Sequence, residues 1–523
     1  MAARLAVAAV LLYLVTFSEG AKILGVLPMG AKSHFNIGSG FMKTLAEAGH
    51  DVTVISPFPL KNAPKNYRTI ELTGLLEDGR FNQNMFELKS DGGIVAPLIM
   101  LIMMYESFAP MICKFILGHE NVVKLLNSDE KFDLVFAETF ISESLYGFAQ
   151  HFDAPLIAYS TFGSSMWTND LVGTPAPPSH VANYLLSYTD KMTFWQRFHN
   201  TAMYLFDRLY YEWRYLPSQK RMYDEGFPNA KMTFEQQMKN VSLVFLNQHF
   251  SLSSPRPYPP NMIEAGGIQI EDAKPLPADL QKYLDEAKDG VIYFCMGSNI
   301  KSIHFPEEKR NAFLRVFSKL KQRVLWKFED ETMPNQPPNL MIKAWMPQND
   351  ILAHPNVKLF ITHGGLLGMT EALYHGKPLV GIPIFGDQPM NVQKAVRSGY
   401  GVLLDYDNIN EQTVETALRT VLNDPSYTRN VKEVSDRFRD KPMTPKETAV
   451  FWTEYVIRHR GAPHLRSPAL DLSLFQYELL DVYAVMLVLL IGVIAVDIYI
   501  AKKILRKVCR KMCSGGQKKK KQH

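Results

Sequence analysis

Short apolar runs alternate with longer amphipathic segments along most of this 523-residue chain. Residues 23–27, 52–55, 134–137, 156–159 and 243–246 are continuous or nearly continuous apolar stretches, the pattern of strands buried on both faces, and the segments between them carry mainly helical periodicity. A proline-rich stretch, 253–260, followed by Pro275 and Pro277, interrupts the alternation. A second series then runs through 291–295, 324–327, 341–344, 359–362, 379–383 and 402–404. Alternating strands and helices predict an α/β chain of two doubly wound domains, each a parallel sheet covered by helices on both faces. Two such domains turned toward each other put the carboxyl ends of both sheets on one cleft, so residues at strand ends carry the most weight.

The two ends depart from this pattern. Arg4 precedes an apolar run from Leu5 to Phe17 that closes on Ser18, Glu19 and Gly20, the order of a secretory signal peptide over residues 1–20. Residues 482–496 carry no charge, and 476–501 reach the length of one transmembrane helix, with Asp497 at its edge. The tail 502–523 holds ten bases and no acid, which predicts a cytosolic side for it and a lumenal one for the folded part. With those ten set apart, 47 Lys and Arg face 52 Asp and Glu; the net charge of +5 becomes −5 outside the tail, and no nucleic-acid surface is implied. Lys520 and Lys521, fourth and third from the end, resemble the dilysine signal by which coat machinery retrieves endoplasmic-reticulum membrane proteins. The expected arrangement is a single-pass type I protein of that membrane. Cys113 and Cys295 fall in the folded part and Cys509 and Cys513 in the tail, so no disulfide framework is read. Asn240-Val241-Ser242 is a glycosylation sequon. The apolar run 94–104 contains Pro97 and is too short to span a bilayer; it reads as a core helix, with part of a lipophilic pocket as the alternative.

The richest chemistry lies between Trp345 and Gln388. Phe360-Ile361-Thr362-His363-Gly364-Gly365 leads from a strand into a helix, and glycines there let backbone N–H groups and the helix dipole meet an anion, with His363 adding a donor. Trp345 offers a flat ring on which a base can stack, Gln348 an amide, and Glu371, eight residues after His363, a carboxylate for ribose hydroxyls. Asp387 and Gln388 end another strand as a pair suited to sugar hydroxyls.

The spaced run Trp345, Pro347, Gln348, His363, Gly364, Gly365, Glu371, Pro378, Pro383, Asp387 and Gln388 resembles the signature of the UDP-glycosyltransferase family. The resemblance covers nearly the whole chain. It implies a GT-B fold of two facing Rossmann-like domains plus a C-terminal transmembrane helix: an acceptor-binding domain at 21–252, a linker at 253–279, a UDP-sugar-binding domain with return helices at 280–475, the span at 476–501 and the tail at 502–523. It further implies that Trp345 stacks on uracil, Gln348 and Glu371 hold ribose, His363 binds diphosphate, Asp387 and Gln388 hold the donor sugar, and Gly297-Ser298 contacts phosphate. UDP-sugar enters as co-substrate, and no metal is expected. Leu366-Leu367, where many relatives carry Thr-Asn, is a departure that removes a side-chain donor near the phosphates and is frequent among arthropod relatives.

Ser33-His34-Phe35 follows the first strand and resembles the family's catalytic histidine position, and Glu138 ends another strand where relatives often carry aspartate. His34 would take the acceptor's proton while Glu138 orients its ring. Gly38-Ser39-Gly40 lacks the third glycine and the ribose-binding acid of a dinucleotide site. Asp405-Tyr406-Asp407 imitates a metal-binding pair of another glycosyltransferase architecture but follows a late strand and reads as a solvated loop. The expected reaction is inverting transfer of a hexose, glucose ahead of glucuronate, from a UDP-sugar to a hydroxyl of a small lipophilic acceptor, for conjugation, detoxification or pigment and hormone modification. The competing class is a membrane-tethered binding protein that keeps the fold without catalysis. Acceptor identity is left open, as is self-association, which membrane-bound relatives often show.

Overall fold

The computed structural model describes residues 20–81, 84, 86–87 and 93–518, so positions 1–19 of the expected signal peptide, together with Lys520 and Lys521, lie outside the described residues. Two compact units divide the chain, one through Arg466 and one from Ser467.

The first unit holds two sheets. β1 (Lys22–Val26), β2 (Asp51–Ser56), β3 (Tyr67–Glu71), β4 (Leu134–Glu138), β5 (Leu156–Ser160), β6 (Val241–Leu246) and β7 (Met262–Glu264) stand in the order β3-β2-β1-β4-β5-β6-β7. β8 (Val291–Cys295), β9 (Arg323–Lys327), β10 (Leu340–Lys343), β11 (Val357–Thr362), β12 (Leu379–Gly381) and β13 (Gly401–Leu403) stand in the order β10-β9-β8-β11-β12-β13. Every neighbouring pair is parallel. Two strands escape the apolar-run reading, and both lie at edges. β3 is half polar, Tyr-Arg-Thr-Ile-Glu, and β7 is three residues long just after the proline-rich stretch. An edge strand buries less of itself and so shows a weaker apolar signature.

Strand order reverses between β1 and β4 in the first sheet and between β8 and β11 in the second. Crossovers leave such a pair in opposite directions and open a crevice at the carboxyl ends. The residues after β1, β4, β8 and β11 are therefore placed by topology at two crevices.

α1 (Lys32–Glu47) follows β1 and packs closely on the first sheet. A Cβ added at Gly38 would strike the Tyr159 hydroxyl and Leu27, and one at Gly40 would press on the backbone of Ile268 and Gln269. These glycines serve helix packing. α2 (Ala96–Met103) holds most of the apolar run read as core or pocket lining, and it divides: Leu101 is buried while Ile99 and Ile102 are exposed. α3 (Phe194–Tyr210) lies in the long β5–β6 crossover, α4 (Leu366–Tyr374) follows β11, and α5 (Gln388–Arg397) follows β12. α6 (Pro445–Arg458) returns to the first sheet, where Ala449 and Val456 are fully buried in one cluster with Leu27, Phe35 and Phe41.

In the second unit, α7 (Leu480–Lys518) runs 39 residues, about 58 Å at 1.5 Å per residue, and continues past the apolar segment into the basic one. Within its Leu480–Met512 portion an 18-residue stretch with mean hydropathy 2.7 and nothing buried is long and apolar enough to cross a membrane.

Candidate active site

The crevice of the first sheet holds a histidine and a carboxylate. His34 sits in the first turn of α1, and Glu138 ends β4, the strand paired with β1. A glutamate at the end of an otherwise apolar strand is 1% exposed, and burying a carboxylate requires a partner. That partner is His34, whose Nδ1 lies 2.5 Å from Glu138 Oε1. The extra methylene relative to aspartate therefore does not separate the two groups. Thr161, just past β5, completes a triangle: its Oγ1 lies 3.1 Å from His34 Nδ1 and donates to Glu138 Oε1 at 3.3 Å. Phe140 and Phe162 flank the imidazole at 5.1 and 5.4 Å between ring centroids. With Nδ1 engaged, Nε2 is the nitrogen left for the cleft, and neutral imidazole with Nδ1–H bound to a carboxylate has Nε2 free to accept a proton.

The crevice of the second sheet is a cradle built from two glycine turns. β8 and β11 pair with Cys295 opposite Thr362, which brings Gly297-Ser298 beside His363-Gly364-Gly365. The imidazole of His363 lies over both turns: a Cβ at Gly297, whose φ is +86°, would come within 2.6 Å of Cε1, and one at Gly365 would overlap Nε2. Gly365 caps α4 without a side-chain bond and no acid occupies the first turn, so among the described residues the first N–H groups of that helix have no side-chain partner and its positive dipole end is uncompensated. Burial, with the charge of Lys327 adding to it, lowers the His363 pKa to about 4, so this ring acts as a neutral N–H donor at ordinary pH.

Around the cradle, Trp345 is 72% exposed. Gln348 Nε2 donates to Glu371 Oε2 at 2.7 Å, and burial, with nearby Asp350 adding to it, raises the Glu371 carboxyl to about 7. Asp387 accepts from Asn391 Nδ2 at 2.6 Å; the same amide donates to Gly364 O at 3.1 Å, which ties Asp387 to the glycine turn. Burial raises the Asp387 pKa, and the hydrogen bond from Asn391 opposes the rise. Gln388 spends its amide oxygen on the N–H groups of Ile384 and Phe385, leaving its NH₂ end as a donor.

These pieces face one cleft of about 500 Å³. Of the residues singled out in the sequence, His34, Ser298, Trp345, Gln348, His363, Gly365, Glu371, Asp387 and Gln388 line it. Glu138 stands behind His34, and Gly364, at φ +84° with Val392 against its missing Cβ, stands behind the cradle. Leu366 and Leu367 line the same cleft, and Leu367 also packs against the apolar cluster of the first sheet. Sequence reading missed Thr161, Asn391 and Lys327. Lys327 had a signal, a cation closing an apolar strand; Thr161 and Asn391 are recognisable only by what they touch. Asp405 caps the turn Tyr406–Asn408, accepting from Asp407 N at 3.3 Å and Asn408 Nδ2 at 2.6 Å.

The family described as "UDP-glucoronosyl and UDP-glucosyl transferase" matches residues 21–521. UDP-glycosyltransferase UGT5 of Dactylopius coccus is 40% identical over 93% of each chain. UDP-glucosyltransferase 2 of the same organism is 37% identical over 96% of each, and UDP-glucuronosyltransferase 2B1 of Rattus norvegicus 31% over 92% of each. Among solved structures, the calicheamicin glycosyltransferase CalG4 has a TM-score of 0.56 at 16% identity, over 84% of this chain and 99% of that one, a likeness of fold alone. The two parallel sheets are those of a GT-B glycosyltransferase, and the chain belongs to the UDP-glucuronosyl and UDP-glucosyl transferase family of enzymes, which transfer a sugar from a UDP-sugar co-substrate.

Proposed function

We propose that this enzyme transfers a hexose, glucose in preference to glucuronate, with inversion, from UDP to a hydroxyl of a small lipophilic acceptor. The observation that carries the reading is the His34–Glu138 pair at one topological crevice facing the His363 and glycine cradle at the other across a single cleft. In this reading Trp345 stacks on uracil, Gln348 and Glu371 take the ribose, and the cradle with Ser298 takes the diphosphate. Asp387 and Gln388 hold the sugar. His34 Nε2 removes the acceptor's hydroxyl proton as that oxygen attacks the anomeric carbon. The bond from that carbon to the β-phosphate oxygen breaks with its electron pair on UDP, and buried Glu138 stabilises the imidazolium. The cradle's N–H groups, His363 and Lys327 would meet the charge developing on the leaving diphosphate without calling on a divalent cation, so chelation by EDTA should leave the rate unchanged.

Glucose is supported by the Dactylopius coccus glucosyltransferase among the relatives and by Leu366-Leu367. Conjugation of lipophilic compounds for detoxification or for pigment or hormone modification fits a tethered enzyme, as does residence in the endoplasmic-reticulum membrane with lumenal domains, Asn240 as a glycan acceptor and retrieval through Lys520 and Lys521. The reading of a binding protein without catalysis leaned on Glu138 and Leu367, and the 2.5 Å contact with His34 weakens the first of those grounds. The test is product formation by microsomes carrying the protein, with phenolic acceptors and either UDP-glucose or UDP-glucuronate, read by mass spectrometry. A hexose adduct lost in His34→Ala supports the reading; a hexuronate adduct corrects the donor, and turnover that survives in His34→Ala removes the base.

A further inference from the structure

Two cations stand beside the catalytic cleft with no acid of their own. Lys394 follows Asp387 and Asn391 on α5 at helical spacing, which puts the three on one face. Arg256 lies between Pro255 and Pro257 in the proline-rich stretch, where a following proline holds its backbone extended. Both side chains line a cavity of about 110 Å³ that shares Phe162, Leu366 and Asp387 with the cleft. Arg256 donates from one Nη to Ser164 Oγ and from the other to Pro175 O at 3.1 Å, both neutral acceptors. Half-buried Lys394 makes no hydrogen bond or ion pair among the described residues. The carboxylates acting on it, Asp387 and Asp190, are engaged with Asn391 and Arg397. Burial lowers the pKa of both cations, opposed at Lys394 by those two acids and at Arg256 by Tyr258. Half-buried cations elsewhere hold an acid, Arg208 with Asp170 and Lys327 with Glu329.

The same walls carry buried polar atoms that no described residue satisfies. Trp167 is 1% exposed, yet its Nε1–H has no partner. Asn247, 2% exposed, gives its Nδ2 to Thr161 O at 3.1 Å and leaves Oδ1 unpaired. The Tyr184 hydroxyl and Arg256 Nε are unpaired as well. Buried polar groups are nearly always hydrogen-bonded, and a desolvated charge without a partner costs more still. Gathered in one cavity with apolar Phe162, Met369 and Met390, these groups form the wall of a ligand site: mostly apolar surface with a few convergent polar atoms.

The geometry points to an anionic occupant: we propose that the acceptor of this enzyme is an aromatic hydroxy acid, whose carboxylate pairs with Lys394 and Arg256 in this cavity while its hydroxyl reaches His34. This rests on the transfer reading and names its substrate class. Size favours an aromatic, since a cavity of about 150 Å³ holds benzene and one of about 110 Å³ takes roughly one ring. The hydroxyl end then extends past Phe162, which lines both spaces and flanks the His34 imidazole at 5.4 Å. A flat carboxylate suits a guanidinium whose N–H groups are only partly spent. The donor has its own place, because neither Lys394 nor Arg256 lines the cleft that contains the glycine cradle. In the transfer step the hydroxyl oxygen forms the bond to the anomeric carbon and gives its proton to His34, while the carboxylate keeps its charge and forms no bond.

The experiment gives the full-length protein 6-hydroxy-2-naphthoate and its methyl ester, a pair that differs in the charge, with one ring for the cavity and one for the cleft. Wild type should favour the acid by about 10–100-fold in kcat/KM, the worth of a charge-assisted contact. Lys394→Met should remove most of that preference by raising KM for the acid, and Lys394→Arg should restore it. Equal kcat/KM for acid and ester in wild type would overturn the subsite and leave the transfer reading intact. So would a product cleaved by hydroxylamine, the mark of an ester formed on the carboxylate itself. If Lys394→Met keeps the preference for the acid but loses use of UDP-glucuronate, the lysine serves the donor's carboxylate and the proposal falls. With no turnover of either compound the transfer reading fails, and isothermal titration decides the subsite by itself. Acid bound at least tenfold tighter than ester in wild type, with the gap closed in Lys394→Met, supports it; equal binding overturns it.

Discussion

The distance between His34 and Glu138 makes the carboxylate's reach a measurable quantity. Glu138→Gln keeps the shape and removes the charge that stabilises imidazolium, so kcat should fall by about 10²–10⁴ while UDP binding is unchanged. Glu138→Asp keeps the charge and withdraws it by about 1.5 Å, one carbon–carbon bond, from a ring fixed by α1 and the two phenylalanines. A misplacement of that size costs on the order of 10² in rate. The variant that relatives often carry should therefore be the poorer one here, and steady-state kinetics of the pair with a single acceptor decides it. Equal rates for Asp and Glu would mean that β4 and α1 close up to follow the side chain. On the donor side, Gly365→Ala would drive a Cβ into Nε2 of His363. Displacing one hydrogen-bond donor of about 1.4 kcal/mol should raise the KM for UDP-sugar on the order of tenfold with kcat less affected.

At the scale of an element, α4 begins at the His363 and glycine turn and carries Glu371, the acid proposed for the ribose, and Glu371 makes the helix sensitive to pH. Its carboxyl is raised from 4.5 to about 7 by burial. Between those values the native state holds a proton that the unfolded chain has released, so stability falls as pH rises through the window and the loss is complete above about 7. The shift is worth about 3 kcal/mol at most. Glu371→Gln should accordingly raise Tm at pH 8 and leave it nearly unchanged at pH 4.5, a comparison that calorimetry makes directly, while weakening UDP binding at both. Leu367 on the same helix packs toward the first sheet's core, so Leu367→Asn should lower Tm yet tighten donor binding by returning a donor to the helix start. Much of this was legible in the chain. His363 and the two glycines announce an anion turn because they stand where an apolar strand stops, and Glu138 announces itself by closing a strand that has no other use for a charge. Thr161 and Asn391 give no such sign: their roles exist only because β5 neighbours β4 and because α5 swings Asn391 back to Gly364. The exposure of Trp195, Phe198, Leu205 and Leu209 on α3 was equally hidden, since a helix with both polar and apolar stripes reads the same whichever stripe is buried.

At the scale of the molecule, the chain's order and the core's composition disagree. α6 lies beyond the last strand of the second sheet, yet Ala449, Val456 and the following Ala462 are fully buried in the core of the first. Residues beyond 440 therefore complete a domain that began at β1. Lys441 reaches back as well, donating to Gly266 O at 3.1 Å. Ending the chain at Arg466 would keep both sheets, this seam and the cleft, and removes only the second unit. Ending it at Asp440 would strip the Phe35 and Phe41 cluster of its cover, the equivalent of several large-to-small core changes at about 2–5 kcal/mol each, against a total stability of only about 5–15 kcal/mol. The expected outcome is that the longer truncation product binds UDP and unfolds cooperatively, while the shorter one does neither, although every residue that lines the donor cradle is present in both. Isothermal titration with UDP and a thermal melt on the two proteins check it. UDP binding retained at Asp440 would show that the second sheet folds and binds alone, with α6 serving the acceptor half only, and the acceptor-dependent rate would then be the quantity that α6 controls.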